Sequence, residues 1–350
     1  MDNYKFVGLI GTYTKGESKG IYSFTLDTKK GEIAEAALVA ELDNPTYLAL
    51  SHDNHFLYSV VKDGELGGIA AFRVNSQNGE LTFINSHVSE GAPPCHVSID
   101  NKSNYVLSAN YHKGTIEAHD LNQETGAILP PTSIIVHTGK GPDKRQEKPH
   151  THYAGFTPDK KFVIAVELGI DKIITYELLN GKFAQKNSLS VKPGSGPRHI
   201  TFHPNGKHAF VMTEFSSEVL VLSYDQKDGS FKQLQSISTI PENFDENNQG
   251  SAIHISSDGH FVYAGNRGHN SIAIFQVNEE TGMLHIIDHT STEGDWPRDF
   301  TLDPTEKFLV ASNQNSGNLV LFARDEATGK LTLLQKNIVV PEPVCVKFLK

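Results

Sequence analysis

Residues 249–266 read QGSAIHISSDGHFVYAGN, and residues 296–313 read WPRDFTLDPTEKFLVASN. Each holds a short alternating run, a turn rich in Asp, Pro or Gly, and a second β-rich run, the pattern of two half-buried strands joined by a tight turn. The pattern recurs from Asn44 (NPTYLALSHDNHFLYSVV), Pro93 (PPCHVSIDNKSNYVLSAN), His150 (HTHYAGFTPDKKFVIAVE) and Gly196 (GPRHITFHPNGKHAFVMTE). A third run follows each copy, such as EVLVLSY at 218–224 or NLVLFAR at 318–324. Then comes an acidic turn with a glycine, such as NEETG at 278–282 or DEATG at 325–329, and a fourth run, such as LTLLQKNIV at 331–339. Four antiparallel strands repeating about every 50 residues is the signature of propeller blades. Six copies are complete. The N-terminus supplies a second, third and fourth strand (FVGLIGTY, GIYSFTLD, IAEAALVAE), and the C-terminus, PEPVCVKFLK, supplies a lone first strand. The expectation is an all-β, seven-bladed β-propeller in one domain, 1–350, with one blade built from both chain ends so that no sheet edge stays open. A tandem of two β domains would need a linker at mid-chain, and no Pro/Ser-rich linker is there.

Bulk properties narrow the function. The net charge of −10 argues against a nucleic-acid partner, which needs a basic face. There is no apolar run of membrane-spanning length, and MDNYKFVGLIGTYT has neither a basic n-region nor a long apolar h-region, so we expect a cytoplasmic protein with no membrane partner. Two cysteines, Cys95 and Cys345, offer no disulfide framework or metal-ligand spacing. No metal or other cofactor is expected, and the sequence assigns no oligomeric state.

Antiparallel connectivity locates a site. Strands alternate in direction, so the start of every first strand and the end of every second strand ring the same mouth of the central channel. The first ring reads Thr46, Cys95, His152, Arg198, Ser251, Arg298 and Val344. The second reads Gly11, Val61, Asn110, Glu167, Glu214, Asn266 and Asn313, followed by Tyr111 and Arg267. The stretch VKPGSGPRH, 191–199, is the crossover into the fifth blade, and its glycines and proline are expected to aim Arg198 into the mouth. Two long crossovers on that face, HTGKGPDKRQEKP (137–149, with Lys140, Lys144, Arg145 and Lys148) and PENFDENNQG (241–250), are expected to wall a pocket. Plainer roles compete. A lone Asn at a strand end usually caps a turn, Arg198 with Glu214 can be a structural ion pair, and Cys95 reads as a small buried thiol. His52, His203, His208 and His260 fall at turns on the opposite face, and Trp296 reads as packing or an apolar wall. The weight lies in accumulation: Arg198, Arg267 and Arg298 share one rim with His150, His152, His199, Glu167 and Glu214.

With KPHTHYAGFTPD, GPRHITFHPNGK, VMTE, YAGNRGHNSI and WPRDF, the repeat resembles the seven-bladed lactonase propellers, which include propeller-type 6-phosphogluconolactonases and carboxymuconate lactonizing enzymes. The resemblance spans essentially the whole chain. It implies a site made of a His, two arginines and a Glu: His150 or His152, Arg198, Glu214 and Arg267. It implies hydrolysis of a small anionic lactone, 6-phosphoglucono-δ-lactone to 6-phosphogluconate in the pentose phosphate pathway, with muconate lactonization as the alternative direction. Glu214, or His152 as second choice, is assigned as base. Arg198 and Arg267 hold the oxyanion or the anionic tail. Arg298 and the basic crossover attract substrate, and His150, His199, Tyr111, Glu167, Asn110, Asn266 and Asn313 are candidate substrate binders. Two rivals are a Ca²⁺-dependent lactonase using Glu and Asn at the mouth, and a non-catalytic binding platform, which needs an apolar patch that the loops lack.

Overall fold

The computed structural model describes residues 4–349. Seven antiparallel sheets form seven blades, numbered from the one that joins the chain ends. Blade 4 is typical: from the axis outward it runs Thr151–Phe156, Val163–Glu167, Lys172–Leu179 and Lys182–Ser190. In blade 1 the innermost strand is Pro343–Phe348, followed by Lys5–Thr12 and Gly20–Asp27. Its outer strand, expected as one run, is broken into Glu32–Ile33 and Ala37–Glu41. The C-terminal strand pairs with the N-terminal one in register Gly8↔Phe348, Ile10↔Val346, Gly11↔Cys345, so the ring closes as the sequence implied.

Alternation in the strands buries one face of each blade against the next. The apolar side chains accordingly fall into seven clusters, one per blade-to-blade seam. Phe210, Val219 and Phe275, for example, join blades 5 and 6, whereas Phe24, Leu319 and Val346 join blades 1 and 7. Each fully buried Leu, Ile or Phe contributes about 1.5–3 kcal/mol, so closure is enforced all the way round.

The turns explain why the repeat was readable. Between first and second strands, a side chain at the end of the first caps the first N–H of the second. Ser51 accepts from Phe56, Thr157 from Phe162, Ser256 from Phe261 and Asp303 from Phe308, at 2.8–3.1 Å. Between third and fourth strands, Asn75, Asn122, Asn278 and Asp325 accept from backbone N–H groups two residues on. A left-handed glycine closes each such turn. At Gly329 (φ 69°) an added Cβ would stand 2.4 Å from the Phe261 ring.

Candidate active site

Five of the seven first-ring residues sit at β-bulges, Ser251 and Val344 among them, and three of these bulges carry chemistry. Pairing runs Thr151↔Glu167 then Tyr153↔Val166, Pro197↔Thr213 then His199↔Met212, and Pro297↔Asn313 then Asp299↔Ser312. His152, Arg198 and Arg298 are therefore the extra residues, and a bulge re-aims the side chain it frees. This corrects the expectation that the VKPGSGPRH bend itself aims Arg198. The bend instead wraps a carboxylate. Asp171 accepts from the N–H groups of Gly194 (2.7 Å) and Gly196 (2.8 Å), with Ser195 Oγ at 3.4 Å, which ties the crossover to blade 4.

Register also splits the second ring. The partners of Thr151, Pro197, Gly250 and Pro297 are Glu167, Thr213, Asn266 and Asn313. Glu214 is thus one residue further on than Glu167 and the asparagines, and a one-residue step turns a side chain to the other face. Asn110, Glu167, Asn266 and Asn313 lie outside the cavity and brace their turns. Asn110 Oδ1 accepts from the N–H groups of His112 and Lys113. Asn266 Nδ2 donates to Thr239 O at 2.7 Å, and Asn313 Nδ2 to Thr292 O at 2.9 Å. Glu167 is fully buried, accepts from the N–H groups of His150 and Gly169 and from Thr151 Oγ1, and faces His137 Nδ1 at 3.0 Å. His150 is also outside: it stacks on Tyr111 at 4.1 Å and donates through Nδ1 to Tyr111 O. None of the four cations of the 137–149 crossover reaches the cavity. Arg145 lies 3.7 Å from the Phe215 ring centre, and Lys148 donates to His112 O. From the second crossover only Gln249 lines it.

What remains converges on a cavity of about 520 Å³ at the channel mouth, lined among others by Tyr111, His152, Arg198, His199, Glu214, Arg267 and Arg298. Glu214 Oε2 is the hub. It lies 2.8 Å from Arg267 Nη2 and 3.2 Å from Arg198 Nε. The guanidiniums are held from behind, Arg198 Nη1 donating to Ser251 O and Arg267 Nη2 to Gly250 O, both at 2.7 Å. Burial pushes the Glu214 carboxyl up, but the Arg267 and Arg198 charges more than offset it and hold it below the usual carboxylate range. Burial, with Arg267 and Arg298 nearby, brings Arg198 down to about 9, so it stays charged at neutral pH.

Below the arginines the channel is lined by imidazoles. His152 and His199 are buried and stand 5.1 Å apart, and desolvation together with the Arg198 charge holds both well below 6.5, so both are neutral. His152 Nδ1 and His199 Nε2 have no protein partner. Asp299 forms part of the floor, next to Lys347 Nζ (3.8 Å) and His254 Nε2 (3.4 Å). Burial raises its carboxyl, but Lys347 and the His254 hydrogen bond bring it to about 2. Cys95 is in the ring as expected, yet burial pushes its thiol up to about 12, so it stays a protonated thiol at neutral pH. Among the described residues no three His, Cys, Asp or Glu side chains gather as metal ligands.

Sequence reasoning missed Tyr13, Lys15, Tyr47, Lys62, His112 and Asp299, all of which line the cavity. A signal existed for Tyr13. It follows Thr12, the partner of Pro343, and so occupies the position of Glu214 and Arg267 in their blades. Trp296 walls the cavity, with the Arg267 guanidinium 5.5 Å from its ring centre, at a left-handed φ of 66° that a bulky residue rarely adopts.

The chain is 55% identical over 345 residues to the 6-phosphogluconolactonase of Bacillus subtilis, covering 99% of each. It superposes on a crystal structure of a Lactobacillus plantarum protein with TM-score 0.95 at 44% identity, covering 99% of this chain and 100% of that one. It superposes on the periplasmic gluconolactonase of Pseudomonas aeruginosa with TM-score 0.92 at 29% identity, covering 99% of each. The family described as "Lactonase, 7-bladed beta-propeller" matches residues 7–348, and the chain belongs to that family.

Proposed function

We propose that this chain hydrolyses 6-phosphoglucono-δ-lactone to 6-phosphogluconate from a single propeller domain, 1–350. The observation that carries the reading is the Arg198–Glu214–Arg267 clamp facing a cavity that also holds neutral imidazoles. The 6-phosphogluconolactonase relative, alike over its whole length, supports the choice of substrate.

The chemistry follows from the groups present. A water attacks the lactone carbonyl carbon, the ring C–O bond breaks, and the alkoxide takes up the proton that the water gave. Arg198 and Arg267 donate to the oxyanion of the tetrahedral intermediate, where fixed donors act most strongly. The Glu214 carboxylate, held through Oε2 by the guanidiniums, accepts the water proton and returns it to the leaving alkoxide. As negative charge grows on the substrate it competes for the arginines, loosens their hold on Glu214 and makes it a stronger base. His152, neutral and with a free Nδ1, stands ready to orient the water. The two cysteines are unpaired, which agrees with action in the cytoplasm.

The test follows hydrolysis of freshly generated 6-phosphoglucono-δ-lactone in EDTA against its spontaneous rate. Acceleration is expected. A rate equal to the spontaneous one, with or without added divalent metal, defeats the proposal, and turnover of a carboxymuconate instead would reassign the direction. Glu214→Gln and His152→Asn then decide the base, with the greater loss of kcat expected for Glu214→Gln.

A further inference from the structure

The clamp uses two of the five cations around the cavity. Lys15, Lys62, Arg198, Arg267 and Arg298 line it, against the carboxylates of Glu214 and Asp299. Glu214 serves Arg198 and Arg267, and Asp299 lies against Lys347 deeper in the channel. No carboxylate pairs with Arg298, Lys15 or Lys62 among the described residues. Lys15 and Lys62 come from blades 1 and 2, and Arg298 comes from blade 7, beside the clamp of blades 5 and 6. Lys15 and Arg298 share one aromatic ring. Tyr13 has Lys15 Nζ 4.3 Å from its ring centre on the rim and the Arg298 guanidinium at 5.3 Å.

The wall is also braced. Tyr13 N donates to Glu342 O at 3.1 Å. Thr14 N donates to Asn44 Oδ1, Asn44 N donates back to Thr14 Oγ1, and Thr14 Oγ1 donates to Asp43. Lys62 N donates to Asp43 O at 2.9 Å. The nearby carboxylates are engaged elsewhere, Asp43 by Thr14 and by Asn44 Nδ2, and Glu342 by the Gly16 N–H at 2.7 Å. Two loops are thus laced together, and three cations are left without a counterion in a chain of net charge −10.

We propose that Arg298, Lys15 and Lys62 form a subsite for the phosphate of the substrate and set the preference for a phosphorylated over an unphosphorylated lactone. This rests on the lactonase reading and deepens it. A phosphate monoester carries about −1.5 to −2 charges at pH 7 and three strong acceptor oxygens, more than one guanidinium offsets. Arg298 supplies a planar fork and the lysines supply mobile point charges. The separation of duties follows: the clamp meets the lactone carbonyl, and the wall of blades 7, 1 and 2 meets the phosphate.

The experiment compares kcat/KM for 6-phosphoglucono-δ-lactone and for glucono-δ-lactone in the wild type, Lys15→Gln, Lys62→Gln, their double variant and Arg298→Gln. Lys15 is exposed and Lys62 half-buried at the rim, so the lysine variants keep the fold. The ratio of phosphorylated to unphosphorylated kcat/KM is expected to fall on the order of tenfold per charge removed, through KM. An unchanged ratio, whether both substrates weaken together or neither does, overturns the subsite. Titration with 6-phosphogluconate and with gluconate separates this from failure of the lactonase reading. Tighter binding of the phosphorylated acid that is lost in the lysine variants, in a protein that accelerates no lactone, keeps the subsite and removes the reaction. Equal binding of both acids removes the subsite.

Discussion

Arg198 is two things at once, a buried member of a charge pair and a donor into the cavity. Its guanidinium is held by Glu214 and Ser251 O, so it needs no rearrangement when an oxyanion forms. Arg198→Ala should lower kcat by roughly 10²–10³-fold, the cost of deleting one preorganised oxyanion donor; normal turnover of 6-phosphoglucono-δ-lactone in that variant would remove Arg198 from the mechanism. Cys95 gives the opposite expectation. Its thiol, raised to about 12 by burial, points at backbone carbonyls of Ala109 and Thr151. Iodoacetamide at pH 8 should leave activity intact and Cys95 unmodified by mass spectrometry.

At the scale of elements, the crossover 191–197 and the bulge that follows act together. Asp171 lines no part of the cavity, yet its carboxylate gathers the N–H groups of Gly194 and Gly196 just before Arg198. Asp171→Ala leaves the buried Gly196 N–H unpaired, at about 1–3 kcal/mol, and frees the half-buried Gly194 N–H to solvent. It should lower the melting temperature and also kcat, because the bulge loses its anchor. The inner strands set a pH dependence as well. His96 is held at about 3 by burial, with Lys347 and Arg198 adding to it, and His152 and His199 also lie far below 6.5. Below pH 6.5 the unfolded chain takes up protons at these sites that the folded protein refuses, so stability falls with pH, by about 1.4 kcal/mol per unit per histidine. The carboxylate contribution has a lower window: Asp299, at about 2, gives stability that is whole above 3.8 and lost as pH falls toward 2. Melting temperature should therefore begin to drop near pH 6. His96→Gln should flatten the slope between pH 4 and 6.

At the scale of the molecule, the ring depends on one strand arriving last. Cys345, Val346, Phe348 and Leu349 are all buried in the seams of blade 1. Their burial, at about 1.5–3 kcal/mol for each large side chain, is comparable with the whole stability of a typical domain, about 5–15 kcal/mol. A chain ending at Val340 would leave the Lys5–Thr12 strand as an open edge. It should lose its cooperative thermal transition and aggregate on size-exclusion chromatography.

The sequence by itself determined the blade count, the strand order and the closure of the ring. Those follow from local signals, two-residue alternation and side-chain-capped turns, repeated often enough to reinforce one another. It also determined that Arg198, Glu214, Arg267, Arg298 and His152 would meet at one mouth, because strand direction alone sends those ends to one face. Which neighbours would join them was decided only in three dimensions. Glu167 and Glu214 look alike beside their strands, but a single residue of register puts one in a turn and the other in the cavity. The bulges at 152, 198 and 298 leave no mark in the alternation, since an extra residue shifts pairing without changing composition. The cations of 137–149 read as a pocket wall, yet packing turned Arg145 to Phe215 and Lys148 to His112 O. Lys15 and Lys62 were inconspicuous until the ring brought blades 1 and 2 beside blade 7. Side-chain direction at a strand end depends on pairing with a distant partner, and that partner is known only once the chain has closed.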